Sequence, residues 1–183
     1  MGEAINLVEN FKVEKVIFNC GEFNDLEKEL IKVLVKKKIK YYSYINELDI
    51  DKNKLHFLQT KEYDNENDNS NVIYTELNGY KFMFMGDASV TTEKEILDKY
   101  NLPNIDVLKV GHHGSKTSSS KEFINEINPK YSIISVGKNN RYGHPNKEVL
   151  DTLNDSKIYR TDQDGSIMFK IKNDKLEIET CSP

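Results

Sequence analysis

Metal-competent side chains follow three of the predicted strands in this chain. Asp87 comes directly after the apolar run YKFMFM, and the pair His112 and His113 follows IDVLKV. His144 lies shortly after a third run, YSIISV. Folds that alternate strands and helices place their active sites at the carboxyl ends of the strands, so we expect these side chains to meet. Because imidazole and carboxylate groups together suit Zn²⁺ or Mn²⁺, the sequence predicts a hydrolytic metal site.

The adjacent histidines leave their individual roles open. Neighbouring side chains on an extended backbone point to opposite sides, so at most one of His112 and His113 can bind a metal directly. The other would assist the reaction, contact the substrate or pack in the core. Asp87 also has a simpler interpretation, as the N-cap of the helix that follows it. A shared metal about 2.0 to 2.2 Å from each ligand requires Asp87, His144 and one of the two histidines to have donor atoms roughly 3 to 6 Å apart.

Candidates for binding a substrate phosphate lie close to these histidines. Residues 115–120 (SKTSSS) are either an N-cap cluster for the next helix or, with Lys116 beside them, an anion site at its N-terminus. Arginine binds phosphate in a bidentate way, and the two arginines, Arg141 and Arg160, fall within one 20-residue stretch. They could equally be solvated surface residues. We take Ser115, Lys116 and Arg141 as the phosphate-binding candidates.

The elements that must position these residues can be read from the hydrophobic pattern. A β-branched run at 13–20 precedes an amphipathic helix that opens at Asn24. Asn78-Gly79 between two apolar runs predicts a β-hairpin. Helices and strands alternate after it, ending in a hairpin turned at Asn173-Asp174. The mixture predicts a layered α/β fold with mixed sheets, in one domain over residues 1–183.

Composition excludes several classes of protein. The 183 residues carry a net charge of −4, which argues against a surface devoted to nucleic acid but permits a local basic site. Apolar runs are far shorter than the roughly 20 residues that a membrane span needs, so we expect no membrane segment in this chain. With no leader pattern at its start, we expect the chain as given to be cytoplasmic, although a parent protein could be secreted or membrane-attached.

Four motifs in one order resemble a known family. GDAS around Asp87, KVGHHGSKTSSS at 109–120, SVGKNNRYGHPNKEVL at 135–150 and RTDQDGSIMF at 160–169 are similar to the C-terminal hydrolase domain of ComEC-type DNA-uptake proteins. That domain is a branch of the metallo-β-lactamase superfamily. The resemblance implies an αβ/βα sandwich, a divalent metal centre, and hydrolysis of phosphodiesters such as nucleic acid or a related hydrolysis.

The resemblance also assigns roles to the candidate residues. Asp87 corresponds to the bridging metal carboxylate, and His144 together with His112 or His113 lies at the remaining metal or substrate positions. We assign Asp87, His112 and His144 as ligands of a Zn²⁺ or Mn²⁺ ion, with His113 as a further catalytic side chain.

One departure from the family pattern is informative. Members carry their principal metal motif, HxHxDH or HxDxDH, on an early loop, and this sequence contains no such motif. Residues 1–8 resemble the helix that follows it. We therefore expect an N-terminally truncated domain that binds metal weakly, is inactive alone and self-associates through an exposed sheet edge.

Two other functions stay open on the sequence. A calcineurin-like metallophosphoesterase has a similar rhythm of GD and a later GH-rich motif, although it needs asparagine where His112 stands. A non-catalytic fragment that serves as an interaction module fits the missing histidine motif.

Overall fold

The computed structural model describes residues 3–182, which form six helices and eleven strands. The helices are α1 (Ala4–Asn10), α2 (Asp25–Lys37), α3 (Val90–Lys99), α4 (Lys121–Ile127), α5 (Lys147–Thr152) and α6 (Thr161–Asp164). The strands are β1 (Lys15–Phe18), β2 (Lys40–Ser43), β3 (Glu47–Ile50), β4 (Asn53–Phe57), β5 (Ile73–Leu77), β6 (Tyr80–Phe84), β7 (Val107–Lys109), β8 (Tyr131–Ile134), β9 (Lys157–Arg160), β10 (Ser166–Lys172) and β11 (Lys175–Cys181). The helix predicted over residues 1–8 is α1 for its described part, whereas residues 1 and 2 lie outside the described range.

A seven-stranded sheet forms the centre of the molecule, in the order β3-β4-β5-β6-β7-β8-β9. Its first four strands pair antiparallel, and β6 to β9 pair parallel. The parallel half arises because helices α3, α4 and α5 cross over between successive strands. The predicted α/β fold with a mixed sheet is confirmed, and the carboxyl ends of the parallel strands share one edge.

The main core lies between this sheet and the crossover helices. Met83, Leu108 and Ile134 are fully buried on successive strands, where they meet Ile96 of α3 and Phe123 of α4. Side chains of a strand alternate between faces, so these inward positions fix which residues face the other side. On that other face the β10–β11 hairpin contributes Phe169, whose ring meets those of Phe82 and Tyr131.

A smaller core joins α1, α2 and the parallel pair β1–β2. Val8, Phe18, Leu30 and Leu34 are buried there. Helix α2 begins where the sequence predicted, because Asn24 and Glu27 form a capping box. Within residues 3–182, no helix combines the length and apolarity that crossing a bilayer requires.

Three strands were not predicted: β2, β3 and β9. Strand β2 (KYYS) is exposed at every position, and β3 (ELDI) at all but one. The sequence of β2 does not alternate apolar and polar residues. The sequence of β3 does alternate, but over only four positions, which is the shortest run from which a half-buried strand is recognised. Strand β9 (KIYR) is only four residues long and lies at the sheet edge.

Candidate functional site

The loops after β6 and β7 are joined by backbone and side-chain hydrogen bonds. The His112 amide donates to the carbonyl of Gly86 over 3.0 Å, which brings the GD loop against the HHG loop. The Asp87 amide donates to Ser70 Oγ over 3.0 Å. Ser70 ends the polar loop at 64–70, which also buries Asp68 against α3 through hydrogen bonds from Ser89 and Thr92. This polar loop therefore positions Asp87.

The two adjacent histidines do not lie on an extended backbone. His112 and His113 both have left-handed conformations, with φ of 45° and 55°, inside a tight 3-10 turn at Gly111–Gly114. Few residues other than glycine adopt this region, and such strained positions cluster at functional sites. The assumption of an extended backbone was wrong. The turn sends the two imidazoles to different neighbours.

His113 is the histidine that lies next to Asp87. Its Nε2 atom is 3.9 Å from Asp87 Oδ1, and its Nδ1 atom hydrogen-bonds the carbonyl of Ser135 over 2.7 Å. A histidine that donates Nδ1–H to a backbone carbonyl keeps the Nε2 lone pair for another partner, which is the usual arrangement around protein-bound metals. The loop after β8 therefore orients His113 toward Asp87.

His112 lies instead beside His144. Their ring centroids are 6.1 Å apart, and His112 Nδ1 is 3.3 Å from Thr117 Oγ1. His144 Nδ1 is buried and makes no hydrogen bond to any residue in the described range 3–182. In residues 3–182, no group of three His, Cys, Asp or Glu side chains is close enough to hold a metal ion. The predicted ligand set of Asp87, His112 and His144 is therefore not assembled, because the left-handed turn directs His113 rather than His112 to Asp87.

The loop that carries His144 is held by residues that sequence reasoning missed. The Asn140 amide group donates to the His144 carbonyl over 2.7 Å and accepts from the His144 amide over 2.9 Å. Asn146 links the two histidine loops. Its backbone N–H donates to the Gly114 carbonyl, and its side-chain Oδ1 accepts from the backbone N–H of Lys116. Gly114 packs directly on Pro145, where an added Cβ would lie 2.6 Å from Pro145 Cβ. Only the density of Gly, Asn and Pro in these loops signals this arrangement in the sequence.

The predicted phosphate-binding segment after His113 makes several hydrogen bonds within the protein. Ser115 is buried, and its hydroxyl pairs with Thr117 Oγ1 over 3.0 Å. The amides of Ser119 and Ser120, at the start of α4, donate to the buried carboxylate of Glu93. Glu93 therefore already supplies an anion to these two amides, whereas the expectation that Ser115 contacts substrate stays a prediction. Burial raises the pKa of Glu93, against the lowering effect of these amides.

The remaining positively charged candidates differ in whether their charge is free to bind an anionic ligand. Arg160 binds Asp162 through two hydrogen bonds of 3.0 and 2.6 Å, and this pairing lowers the pKa of Asp162. Lys116 is exposed beside the histidine loop. Arg141 is exposed and, within residues 3–182, makes no ion pair with a carboxylate; it donates to the Tyr142 hydroxyl over 2.6 Å. Lys116 and Arg141 therefore stay available for an anionic ligand.

Lys109 is a further cation at the site that the sequence did not single out. It is the last residue of β7, and its Nζ atom donates to the carbonyl of Val110 over 3.0 Å. Burial lowers the pKa of Lys109, while the negative charge of Asp87 acts in the opposite direction. The available signal in the sequence was a lysine at the end of an apolar strand, two residues before the histidine turn.

A cavity of about 380 Å³ opens beside His113. Its volume falls within the range of about 300 to 1,000 Å³ that is typical of small-molecule sites. The lining residues come from the histidine turn and from the segment after β8: His113, Ser135, Val136, Gly137, Asn140, Tyr142 and His144.

Comparison with known proteins identifies the family. The model of the metallo-beta-lactamase superfamily matches residues 2–138. This chain belongs to the metallo-beta-lactamase superfamily. The assignment confirms the resemblance drawn from the motifs, agrees with the mixed α/β fold and replaces the calcineurin-like alternative.

Three relatives of this superfamily domain are named for competence or recombination. The chain is 36% identical over 182 positions to ComE operon protein 3 of Bacillus subtilis, covering 94% of the chain and 23% of the relative. It is 37% identical over 119 positions to competence protein ComA of Neisseria gonorrhoeae, covering 62% and 17%. It is 34% identical over 116 positions to recombination protein 2 of Haemophilus influenzae, covering 62% and 14%. The chain thus spans less than a quarter of the length of each of these relatives.

Members of the superfamily generally use divalent metal ions, and the site fits this requirement in part. Ligand distances of about 2.0 to 2.2 Å allow two donors of one metal to lie up to about 4.4 Å apart, so Asp87 Oδ1 and His113 Nε2 could share an ion. A catalytic zinc site usually has three protein ligands. Among residues 3–182, no third such ligand joins Asp87 and His113. These residues therefore fit part of a metal centre and not a complete one.

Proposed function

We propose that this chain is the hydrolase part of a longer competence-type protein, and that the longer protein cleaves phosphodiester bonds of nucleic acid in a metal-dependent reaction. The observation that carries the proposal is the pairing of Asp87 with His113, oriented by the Ser135 carbonyl. Membership of a hydrolase superfamily and similarity to relatives named for competence and recombination support it.

The residues of the site would have three different roles: metal binding, phosphate binding and positioning. Asp87 and His113 would hold the ion, and a bound divalent metal would lower the pKa of its water toward about 7. Arg141 and Lys116 would bind the substrate phosphate, because both are exposed cations on the loops that surround the cavity. Asn140 would keep His144 in place beside His112.

The number of ligands limits what the chain can do alone. With two ligands in place of the usual three, metal affinity should be weak and turnover negligible. We propose that the remaining ligands come from an HxDxDH segment outside this chain. The same ligand count favours a second candidate, an interaction module without catalysis.

Hydrolysis of a chromogenic phosphodiester in the presence of Mn²⁺ separates the two candidates. We expect negligible turnover by this chain, and metal-dependent turnover by a longer polypeptide that adds the N-terminal HxDxDH segment of a relative. The Asp87→Ala substitution should abolish that activity, whereas Tyr42→Ala, on the exposed strand β2, should leave it unchanged. An inactive longer polypeptide would favour the interaction module. Activity that survives Asp87→Ala would refute the assigned site.

A further inference from the structure

The exposed ring of Tyr142 forms part of the cavity wall beside the Asp87–His113 pair. Its side chain is 64% exposed although it is aromatic, and it lines the same cavity as His113. Exposed aromatic residues are common on protein surfaces and need no explanation by themselves. Tyr142 differs from the other exposed tyrosines in its position, since a ligand in this cavity would touch both its ring and His113 of the Asp87–His113 pair.

The ring of Tyr142 is held in a fixed orientation. It stacks on His144 with a centroid separation of 5.8 Å and an angle of 17° between the planes. This separation describes an offset stack, which leaves much of the ring uncovered. The loop below is fixed by the two hydrogen bonds between Asn140 and His144. An aromatic surface that is already ordered loses little conformational entropy when a planar ligand stacks on it.

A cation lies over part of the same ring. The guanidinium carbon of Arg141 is 4.8 Å from the Tyr142 ring centroid, and its Nη2 atom donates to the tyrosine hydroxyl. Because Arg141 pairs with no carboxylate among residues 3–182, its charge stays available for an anion. A flat aromatic surface beside an arginine matches a nucleotide, which has a planar base and a phosphate.

We infer that Tyr142 and Arg141 form a nucleotide subsite of single-stranded nucleic acid, in which a base stacks on Tyr142 and the adjacent phosphate meets Arg141. The inference rests on the proposed function and names its substrate class. A base inside a duplex is already stacked between its neighbours, so only an unpaired strand can offer a free face to Tyr142. The net charge of −4 argues against a broad basic surface, and we therefore expect stacking to account for much of the affinity.

The test compares base-bearing and abasic strands with the whole chain in a metal-chelating buffer, where no cleavage occurs. Fluorescence anisotropy would measure the binding of a labelled oligothymidylate and of an abasic oligonucleotide of the same length. We expect wild type to bind the base-bearing strand about tenfold more tightly, the effect of about one stacked base. Tyr142→Ala should reduce this preference to none, and Tyr142→Phe should retain it.

Two controls separate the parts of the subsite. Arg141→Ala should weaken binding of both strands to a similar degree and reduce its salt dependence, because it removes a phosphate contact. Tyr42→Ala, which removes a 43% exposed tyrosine of β2, should change neither affinity.

Three results would overturn the inference: equal affinity of wild type for the two strands, an unchanged preference in Tyr142→Ala, or, in the same assay with a labelled duplex, an affinity equal to that for the single strand. The first needs no variant, so it does not depend on whether Tyr142→Ala folds. Because binding is measured without metal, the subsite can fail while hydrolysis by the longer polypeptide stands, and the reverse also holds.

Discussion

Replacing Gly114 by alanine should push the two histidine loops apart. The resulting loss in the free energy of unfolding can be estimated from the structure. Gly114 has φ of +78°, and an added Cβ would lie 2.6 Å from Pro145 Cβ and 3.1 Å from its Cα. A left-handed alanine costs about 1–2 kcal/mol. Overpacking against a backbone that cannot move aside adds about 1–3 kcal/mol. We therefore expect Gly114→Ala to lower the free energy of unfolding by about 2–5 kcal/mol.

Gly79 provides a matched control for this substitution. It has nearly the same conformation, with φ of +83°, but an added Cβ there would have no neighbour within 4 Å. Gly79→Ala should therefore cost only the conformational part, about 1–2 kcal/mol. Urea denaturation of both variants gives the difference, which we expect to be about 1–3 kcal/mol. Equal losses in the two variants would refute the close contact between the histidine loops.

Three further predictions concern the groups that hold the site together. Glu93→Ala removes the acceptor of two amides at the start of α4 and should destabilise the chain by about 2–4 kcal/mol, which urea denaturation would measure; a loss below about 0.5 kcal/mol would contradict its anchoring role. Asp162→Asn should cost about 1–2 kcal/mol at pH 7. Arg160 lowers the folded-state pKa of Asp162, so this stabilisation is present above the ordinary carboxyl pKa of 3.8 and is lost as the pH falls through the folded-state pKa. The difference in stability between Asp162→Asn and wild type should therefore shrink between pH 5 and pH 3. A difference that stays constant over this range would contradict the assignment. Asn140→Ala removes both hydrogen bonds to the backbone of His144 and should lower thermal stability by the equivalent of about 1–3 kcal/mol, whereas an unchanged melting temperature would show that this loop is held by other contacts.

The sequence predicted the elements whose signals are local. Helix α2 has its capping box at Asn24, and the hairpin at Asn78-Gly79 joins β5 to β6 as expected. The strands that end at Asp87, at His112 and before His144 lie side by side in the parallel half of the sheet, because strand and helix alternate there. The fold class could therefore be predicted from periodicity and turn residues.

The details of the site could not be predicted, because they depend on contacts between distant segments. The left-handed turn at His112 and His113 is stabilised by the hydrogen bond from His112 to Gly86, which is remote in sequence. The pairing of Asp87 with His113 could therefore not be inferred from the sequence. The burial of Glu93 against the start of α4 likewise requires the tertiary structure. A helix N-terminus that looks open to phosphate in the sequence is thus already satisfied by a carboxylate.

Metal binding by single-residue variants tests the central claim most directly. Titration of the 183-residue chain with Mn²⁺, followed by electron paramagnetic resonance of the free ion, would measure the affinity of wild type and of three alanine variants. We expect weak binding by wild type, a loss of at least tenfold in Asp87→Ala and in His113→Ala, and little change in His112→Ala. A loss of binding in His112→Ala, with His113→Ala unaffected, would contradict the assignment of Asp87 and His113 as the metal-binding pair.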